Sequence, residues 1–333
     1  YDFADMLGEM LGELNASHTG CRYAPPQVNT DATGALGIFI DYDYTGKGLK
    51  LTEVLAKGPL DKEVSKIKAG HIIEAIDGEE LNPDKDFYQF LNRKAGKLTL
   101  LSLYDPQSNT RWEESVKPIT LGEENELLYR RWVENRRKET ERLSGGKIGY
   151  VHVRGMNDPS MRVVIDEVLG KNLDKDAIVV DTRFNGGGNL HEQLSDFLSG
   201  KKYFDIIPHG QPIGYQPQTK WIKPSIVVMG ESNYSDAHLF PVAYKLKNIG
   251  QTVGMPVPGT GTFVWWETQI DPTLVFGIPQ GGWRTPDGKF AENTQLEPDI
   301  KVKNDPGLMS SGKDQQLEKA VDELLQTLKK KKI

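Results

Sequence analysis

A single cysteine, Cys21, in a chain of 333 residues excludes an internal disulfide framework and any cysteine-rich metal site. Positive charge is not in excess. The 41 Lys and Arg stand against 47 Asp and Glu, a net charge of −6, which argues against nonspecific binding to nucleic acid or to an anionic membrane. No apolar run approaches the roughly 18–20 residues that cross a bilayer, so no membrane span is expected. Histidine is scarce at six, and none stands in a His-Glu-x-x-His spacing; neither a metal nor a cofactor is expected. Internal repeats and low-complexity tracts are absent. The start at Tyr1, without Met or an apolar leader, is expected of a fragment or a processed form. It leaves the compartment unassigned, with a lean toward the extracytoplasmic side.

The composition that is there, 37% hydrophobic and 26% charged, suits an ordered globular chain of one large domain or two. Phe3, Met6, Leu7, Met10, Leu11 and Leu14 recur at three- and four-residue steps and predict an amphipathic helix over 2–14. A turn-rich stretch, 23–34, with Pro25, Pro26 and Asn29, reads as a linker. Short strands follow at 37–40, 49–51, 72–76 and 98–103, with a turn at Asp77-Gly78 and a short helix over 87–92. Interspersed Glu and Arg over 122–144 predict an exposed helix. From 147 onward strands (147–153, 177–181, 225–230) alternate with helices (158–168, 190–198, 237–247). The unbroken apolar runs Ile178-Val179-Val180 and Ile226-Val227-Val228-Met229 predict parallel strands covered on both faces, hence an α/β half. A last helix, 314–328, leads into a lysine tail.

Three loops could carry chemistry. Asn185-Gly186-Gly187-Gly188 follows a buried strand, and its backbone N–H groups can approach an anion; without GxxxxGK[ST] spacing an oxyanion hole is a better use for them than phosphate. Ser232 and Ser235 lie on a strand-to-helix turn, where a serine is either an exposed nucleophile or a plain N-cap. Asn15-Ala16-Ser17-His18-Thr19-Gly20 follows the opening helix. His191 and His238 lie near the other two loops and compete with His18 as a general base.

Taken together, five segments resemble the catalytic core of the tricorn proteases, within the C-terminal-processing (tail-specific) serine peptidase family. They are 12–19, 181–188, Tyr234-Ser235-Asp236, Glu292-Asn293 with Glu297-Pro298-Asp299-Ile300, and 312–317. The resemblance implies a crotonase/Clp-like α/β peptidase core, with Ser235 as nucleophile and His18 as general base. Ser17 and Glu292 would relay behind His18 in a Ser-His-Ser-Glu tetrad, and the N–H groups of Gly187 or Gly188 and of Asp236 would form the oxyanion hole. The family's other branch uses a Ser/Lys dyad. Here the comparable turn, Gly259-Thr260-Gly261, has no lysine, and Lys245 and Lys247 are expected on an exposed helix face. The resemblance also implies that Asp205, aligned with a one-residue gap, selects a basic P1 side chain. It implies β-propellers upstream that this chain lacks.

Ala35-Leu36-Gly37-Ile38-Phe39 resembles the carboxylate-binding loop of a PDZ domain, with Leu36, Gly37, Ile38 and Phe39 holding the peptide. Gly58-Pro59-Leu60, 69–73 and Ile76-Asp77-Gly78 resemble its later signature, His71 replacing the usual aspartate. The expected organisation is therefore a helical segment over 1–30 carrying Ser17 and His18, a PDZ-like β-rich domain over 31–106 inserted into the core, a helical connector over 107–145, and the α/β peptidase core over 146–333. The implied activity is serine peptidase action on peptides or unfolded proteins, with a homo-oligomer left open. Two other readings stay open: a catalytically degenerate, PDZ-containing peptide-binding protein, and a crotonase-like acyl-group enzyme.

Overall fold

The computed structural model describes residues 1–28, 30–82 and 86–330. Asn29 of the expected linker and residues 331–333 of the lysine tail lie outside them. The chain divides into two compact units, one formed by Tyr1–Pro26 with Asn135–Ile333 and the other by Gln27–Glu134.

In the first unit the strands Ile148–His152, Ala177–Asp181, Ser225–Met229, Gln251–Gly254 and Ile300–Lys301 form one parallel sheet in that order. The first three are buried at every residue, which is why their sequences are continuous apolar runs instead of alternating ones. Helices Asp158–Asp166, His191–Leu198, Asp236–Leu246 and Gln315–Lys330 accompany them. Val151, Val180, Val227 and Met229 of the sheet share a core with Leu194, Phe197, Phe240 and Tyr244 of the helices. Asn157 caps the first of these helices through the Ser160 N–H, and the last buries Leu317, Ala320, Val321 and Leu324 at helical spacing.

Buried charge ties the last helix to the end of the second strand. The Arg183 guanidinium meets Asp181 Oδ2 at 2.6 Å and Asp314 Oδ1 and Oδ2 at 3.0 and 2.9 Å. All three side chains are at most 5% exposed. Burial works against the Asp314 charge, but Arg183 outweighs it and holds the carboxyl below its ordinary range.

A second sheet of this unit has no counterpart in the sequence reading. The strands Gly20–Tyr23, Leu274–Gly282 and Thr262–Thr268 pair antiparallel in that order. Residues just ahead of Tyr23 and Thr268 are thereby brought to one place, although some 240 positions separate them. Phe204–Ile206 and Gly214–Gln216 form a separate hairpin. No described helix is long and apolar enough to cross a membrane.

The second unit is an antiparallel sheet ordered Ile38–Ile40, Leu49–Val54, Ile72–Ile76, Thr99–Asp105, Thr110–Val116, with Glu79–Glu80 beside the third strand. Leu51, Ile73, Leu91, Leu101, Leu103 and Val116 fill its core. The expected helical connector over 107–145 is corrected here. Residues 110–116 form a strand, because Trp112, Glu114 and Val116 turn inward at a two-residue period, and Ile119–Thr120 pairs with Gly34–Ala35. Helix begins only at Leu121 and runs to Ser144, the division between the units falling inside it. The segment 87–92 forms a 3₁₀ turn, Phe87–Leu91.

Candidate active site

Ser235 sits where the strand Ser225–Met229 passes into the helix Asp236–Leu246. It occupies the N-cap position, yet its side chain makes no cap hydrogen bond. Its backbone is held at φ 56°, ψ −124°, a region that costs a non-glycine residue about 1–3 kcal/mol and that clusters at reactive turns. The conformation is stabilised from outside: the Ser235 N–H donates to Thr260 Oγ1 at 2.8 Å. Gly187 lies against the same turn, where a Cβ would stand 2.7 Å from the Ser235 Cβ.

Freed from capping, Ser235 Oγ lies 2.8 Å from His18 Nε2. His18 follows the opening helix, Asp2–Gly12, and its φ of 63° turns the chain into the strand Gly20–Tyr23. Its backbone N–H donates to Tyr234 Oη at 2.9 Å. Behind the ring, Nδ1 lies 2.9 Å from Ser17 Oγ and 3.0 Å from Thr262 Oγ1. Ser17 Oγ donates to Glu292 Oε2 at 2.8 Å, and the Ser17 N–H donates to Glu292 Oε1 at 2.5 Å. Thr262 donates to the Ser17 carbonyl at 2.9 Å.

These partners favour one His18 tautomer. The Ser17 proton goes to the carboxylate, and the Thr262 proton has the Ser17 carbonyl and the Ser17 hydroxyl as acceptors. With Nδ1 protonated both hydroxyl oxygens accept from it, and Nε2 is the bare acceptor facing Ser235. Burial lowers the His18 pKa from 6.5, and the Glu292 charge offsets part of that. The neutral ring is thereby favoured.

The structure thus brings Ser17, His18, Ser235 and Glu292 into one hydrogen-bonded chain. Thr260 and Thr262 were missed by sequence reasoning. They flank Gly261 in the turn read for its missing lysine, and a threonine entering a strand carries no signal of its own.

The rival histidines are otherwise engaged. Burial pulls the His238 pKa down to about 4, and its Nδ1 accepts from the Thr260 N–H. His191 Nδ1 meets Asp236 Oδ1 at 2.5 Å, and His152 Nε2 meets the Arg183 carbonyl. Lys245 reaches Glu297 and Asp299, and Lys247 reaches Ser195 and Asp196.

A cleft of about 340 Å³ opens over Ser235, lined by His18, Gly186, Gly188, Asp236 and Thr262, with Leu239, Phe263, Val264 and Trp283 as its apolar wall. The Asp236 N–H opens its helix and has no intrahelical partner. Its carboxylate turns away to accept from the N–H groups of Leu190 and His191, tying the serine turn to the glycine loop. The Gly187 N–H is taken by Asn185 Oδ1 at 2.9 Å, and Gly188 lines the cleft. Asp205 does not line it; it lies in the hairpin strand Phe204–Ile206, paired with Lys202. Leu36, Gly37, Ile38 and Phe39 belong to the other unit. No group of His, Cys, Asp and Glu among the described residues is arranged to hold a metal ion.

Comparison with known proteins bears on this geometry. Residues 147–302 match Peptidase family S41. Over 96% of its length the chain is 28% identical to tricorn protease homolog 1 of Streptomyces coelicolor, covering 30% of that protein. Over 99% it is 26% identical to the tricorn protease of Thermoplasma acidophilum, covering 31%. It thus spans about a third of the length of the curated relatives it matches. A crystal structure of the tricorn protease superposes with a TM-score of 0.82 at 23% identity, over 96% of this chain and 32% of that one.

Proposed function

We propose that the chain is a serine peptidase acting through an acyl-enzyme, a reading supported by its match to Peptidase family S41 over residues 147–302 and by its similarity over nearly its whole length to the tricorn proteases. The observation that carries the reading is the unbroken chain from Ser235 Oγ through His18 and Ser17 to the Glu292 carboxylate.

In the first step His18 Nε2 takes the Ser235 proton as Oγ attacks the scissile carbonyl. The carbonyl oxygen, now an anion, is received by the N–H groups of Asp236 and Gly188. The imidazolium so formed is stabilised through Ser17 by Glu292, and it returns its proton to the departing amine. Water then enters where the amine left, is deprotonated by the same nitrogen, and hydrolyses the ester. The substrates proposed are peptides or unfolded segments cut internally, with the 36–39 loop of the other unit capturing an extended end by strand addition and carboxylate binding.

Labelling with a fluorophosphonate tests the reading. Adduct is expected on Ser235, absent in Ser235→Ala and sharply reduced in His18→Ala. Labelling that persists in Ser235→Ala overturns it, and a stable but unlabelled parent protein would support a non-catalytic peptide-binding role instead.

A further inference from the structure

The Gly37 N–H, at the start of the loop expected to receive a peptide's terminal carboxylate, already holds one. It donates to Glu124 Oε1 at 3.0 Å, both residues lying in the same compact unit. Gly37 stands at φ 66° with a prolyl ring against its Cα face, so its N–H direction is set by the turn. The strand that follows, Ile38–Ile40, is the terminal strand of its sheet, paired among the described residues only with Leu49–Val54. A fixed N–H at the end of a sheet edge is the arrangement that captures an extended peptide by its carboxyl end.

Glu124 is not needed by its own helix. Thr120 and Glu123 already form a reciprocal cap: the Thr120 N–H donates to Glu123 Oε2 at 2.8 Å, and the Glu123 N–H to Thr120 Oγ1 at 3.2 Å. Glu124 points instead to Gly37, and Arg131, two turns on along the same face, lies over the Phe39 ring at 5.1 Å and pairs with Glu53. The first turns of the helix therefore run along the edge strand, from its carboxylate end onward. Burial raises the Tyr88 pKa, and Tyr42 and the nearby Glu124 charge add to the rise.

We propose that Glu124 is an internal stand-in for a peptide's terminal carboxylate. It occupies the Gly37 site at rest, and an extended peptide with a free C-terminus binds by displacing it. The proposal rests on the capture reading of the 36–39 loop. The internal carboxylate competes at high effective concentration, so it lowers the apparent affinity by the ratio of latched to open loop. Weak peptide ends are turned away, and a bound end frees the start of the helix from the strand.

The test uses the full chain carrying Ser235→Ala, so that peptide is not consumed. Fluorescence polarisation measures a labelled decapeptide with an apolar last residue, as free acid and as C-terminal amide. Adding Glu124→Ala is expected to tighten the free acid about tenfold and to leave the amide within twofold. Glu123→Gln, which disturbs the cap and spares the latch, is expected to leave both within twofold. Free acid preferred over amide to the same degree with and without Glu124 overturns the latch and leaves capture standing. Acid and amide bound alike by both chains overturns capture, and the latch with it. The unaltered chain gives a second readout should Glu124→Ala fold poorly. The Gly37 amide resonance is expected to shift on adding free-acid peptide and to stay in place on adding the amide; a resonance blind to the free acid overturns the proposal.

Discussion

The hydroxyls of Thr262 and Ser17 stand 2.7 Å apart, at hydrogen-bond distance from each other and both within reach of His18 Nδ1. Ser17 gives its proton to Glu292, and the Thr262 proton has the Ser17 hydroxyl and the Ser17 carbonyl as acceptors. Both oxygens can then accept from a protonated Nδ1. Thr262 thereby favours the tautomer the proposed mechanism requires.

Thr262→Val removes one of the two acceptors and strands the Ser17 carbonyl. A lost hydrogen bond of this kind corresponds to roughly a tenfold change, so kcat/KM on a peptide substrate is expected to fall about that much, mainly through kcat. Thr262→Ser keeps the hydroxyl and should recover to within about threefold. Equal losses in the two variants would mean that packing, and not the hydroxyl, is what matters.

The pH profile separates the contributions to His18. Its folded pKa lies below 6.5 because burial disfavours the cation. The acid limb of kcat/KM is therefore expected below 6.5, with full activity above it. The Glu292 charge pulls in the opposite direction, raising that pKa. Glu292→Gln should move the acid limb to still lower pH while lowering the plateau by about a hundredfold or more, as expected when an imidazolium loses its orienting carboxylate. An acid limb that moves upward would show that Glu292 is not acting on His18 through its charge.

The ionic cluster under the glycine loop makes a prediction about stability. Asp314 holds Arg183 in a two-pronged pair and also lies 3.3 Å from Arg136. Asp314→Ala removes a carboxylate from two buried guanidinium groups, and breaking a buried ion pair costs about 3–5 kcal/mol. Urea unfolding should register that loss at pH 7. The folded carboxyl titrates below its ordinary 3.8, so its contribution is present above pH 3.8 and is lost as pH falls through the folded value. The difference between parent and variant should accordingly shrink only in strong acid.

What was legible in the sequence followed from how many faces each element buries. The strands around Val179 and Val227 are covered on both sides and read as apolar runs. The strand 110–116 buries one face only, and its outward Arg111, Glu113 and Ser115 masked the period that Trp112, Glu114 and Val116 keep. The sheet joining Gly20–Tyr23 to Thr262–Thr268 left no trace, since its aromatic residues are largely exposed and its pairing spans most of the chain. That sheet is what sets Thr262 beside His18. The Ser17, His18, Ser235 and Glu292 positions came from short motifs in a familiar order; their hydroxyl partners, being ordinary threonines, could come only from geometry. Likewise a run of Glu and Arg gives no sign that Glu123 caps while Glu124 reaches a distant amide.

Gly187 offers the sharpest test of the serine turn. Its φ of 100° is one that side chains disfavour, and an added Cβ would meet Ser235 Cβ and the Tyr234 carbonyl, each at 2.7 Å. Neither neighbour is a flexible side-chain end. Tyr234 is held through its hydroxyl by the His18 N–H, and Ser235 through its own N–H by Thr260. Gly187→Ala must therefore push the serine off the Nε2 line or the loop off the cleft. Displacements near 1 Å can cost about a hundredfold in rate. The variant is expected to keep its circular dichroism spectrum and lose fluorophosphonate labelling of Ser235 by about that factor. Labelling at the parent rate in a folded Gly187→Ala protein would mean that the turn is pliable and that its strained backbone plays no part in presenting the nucleophile.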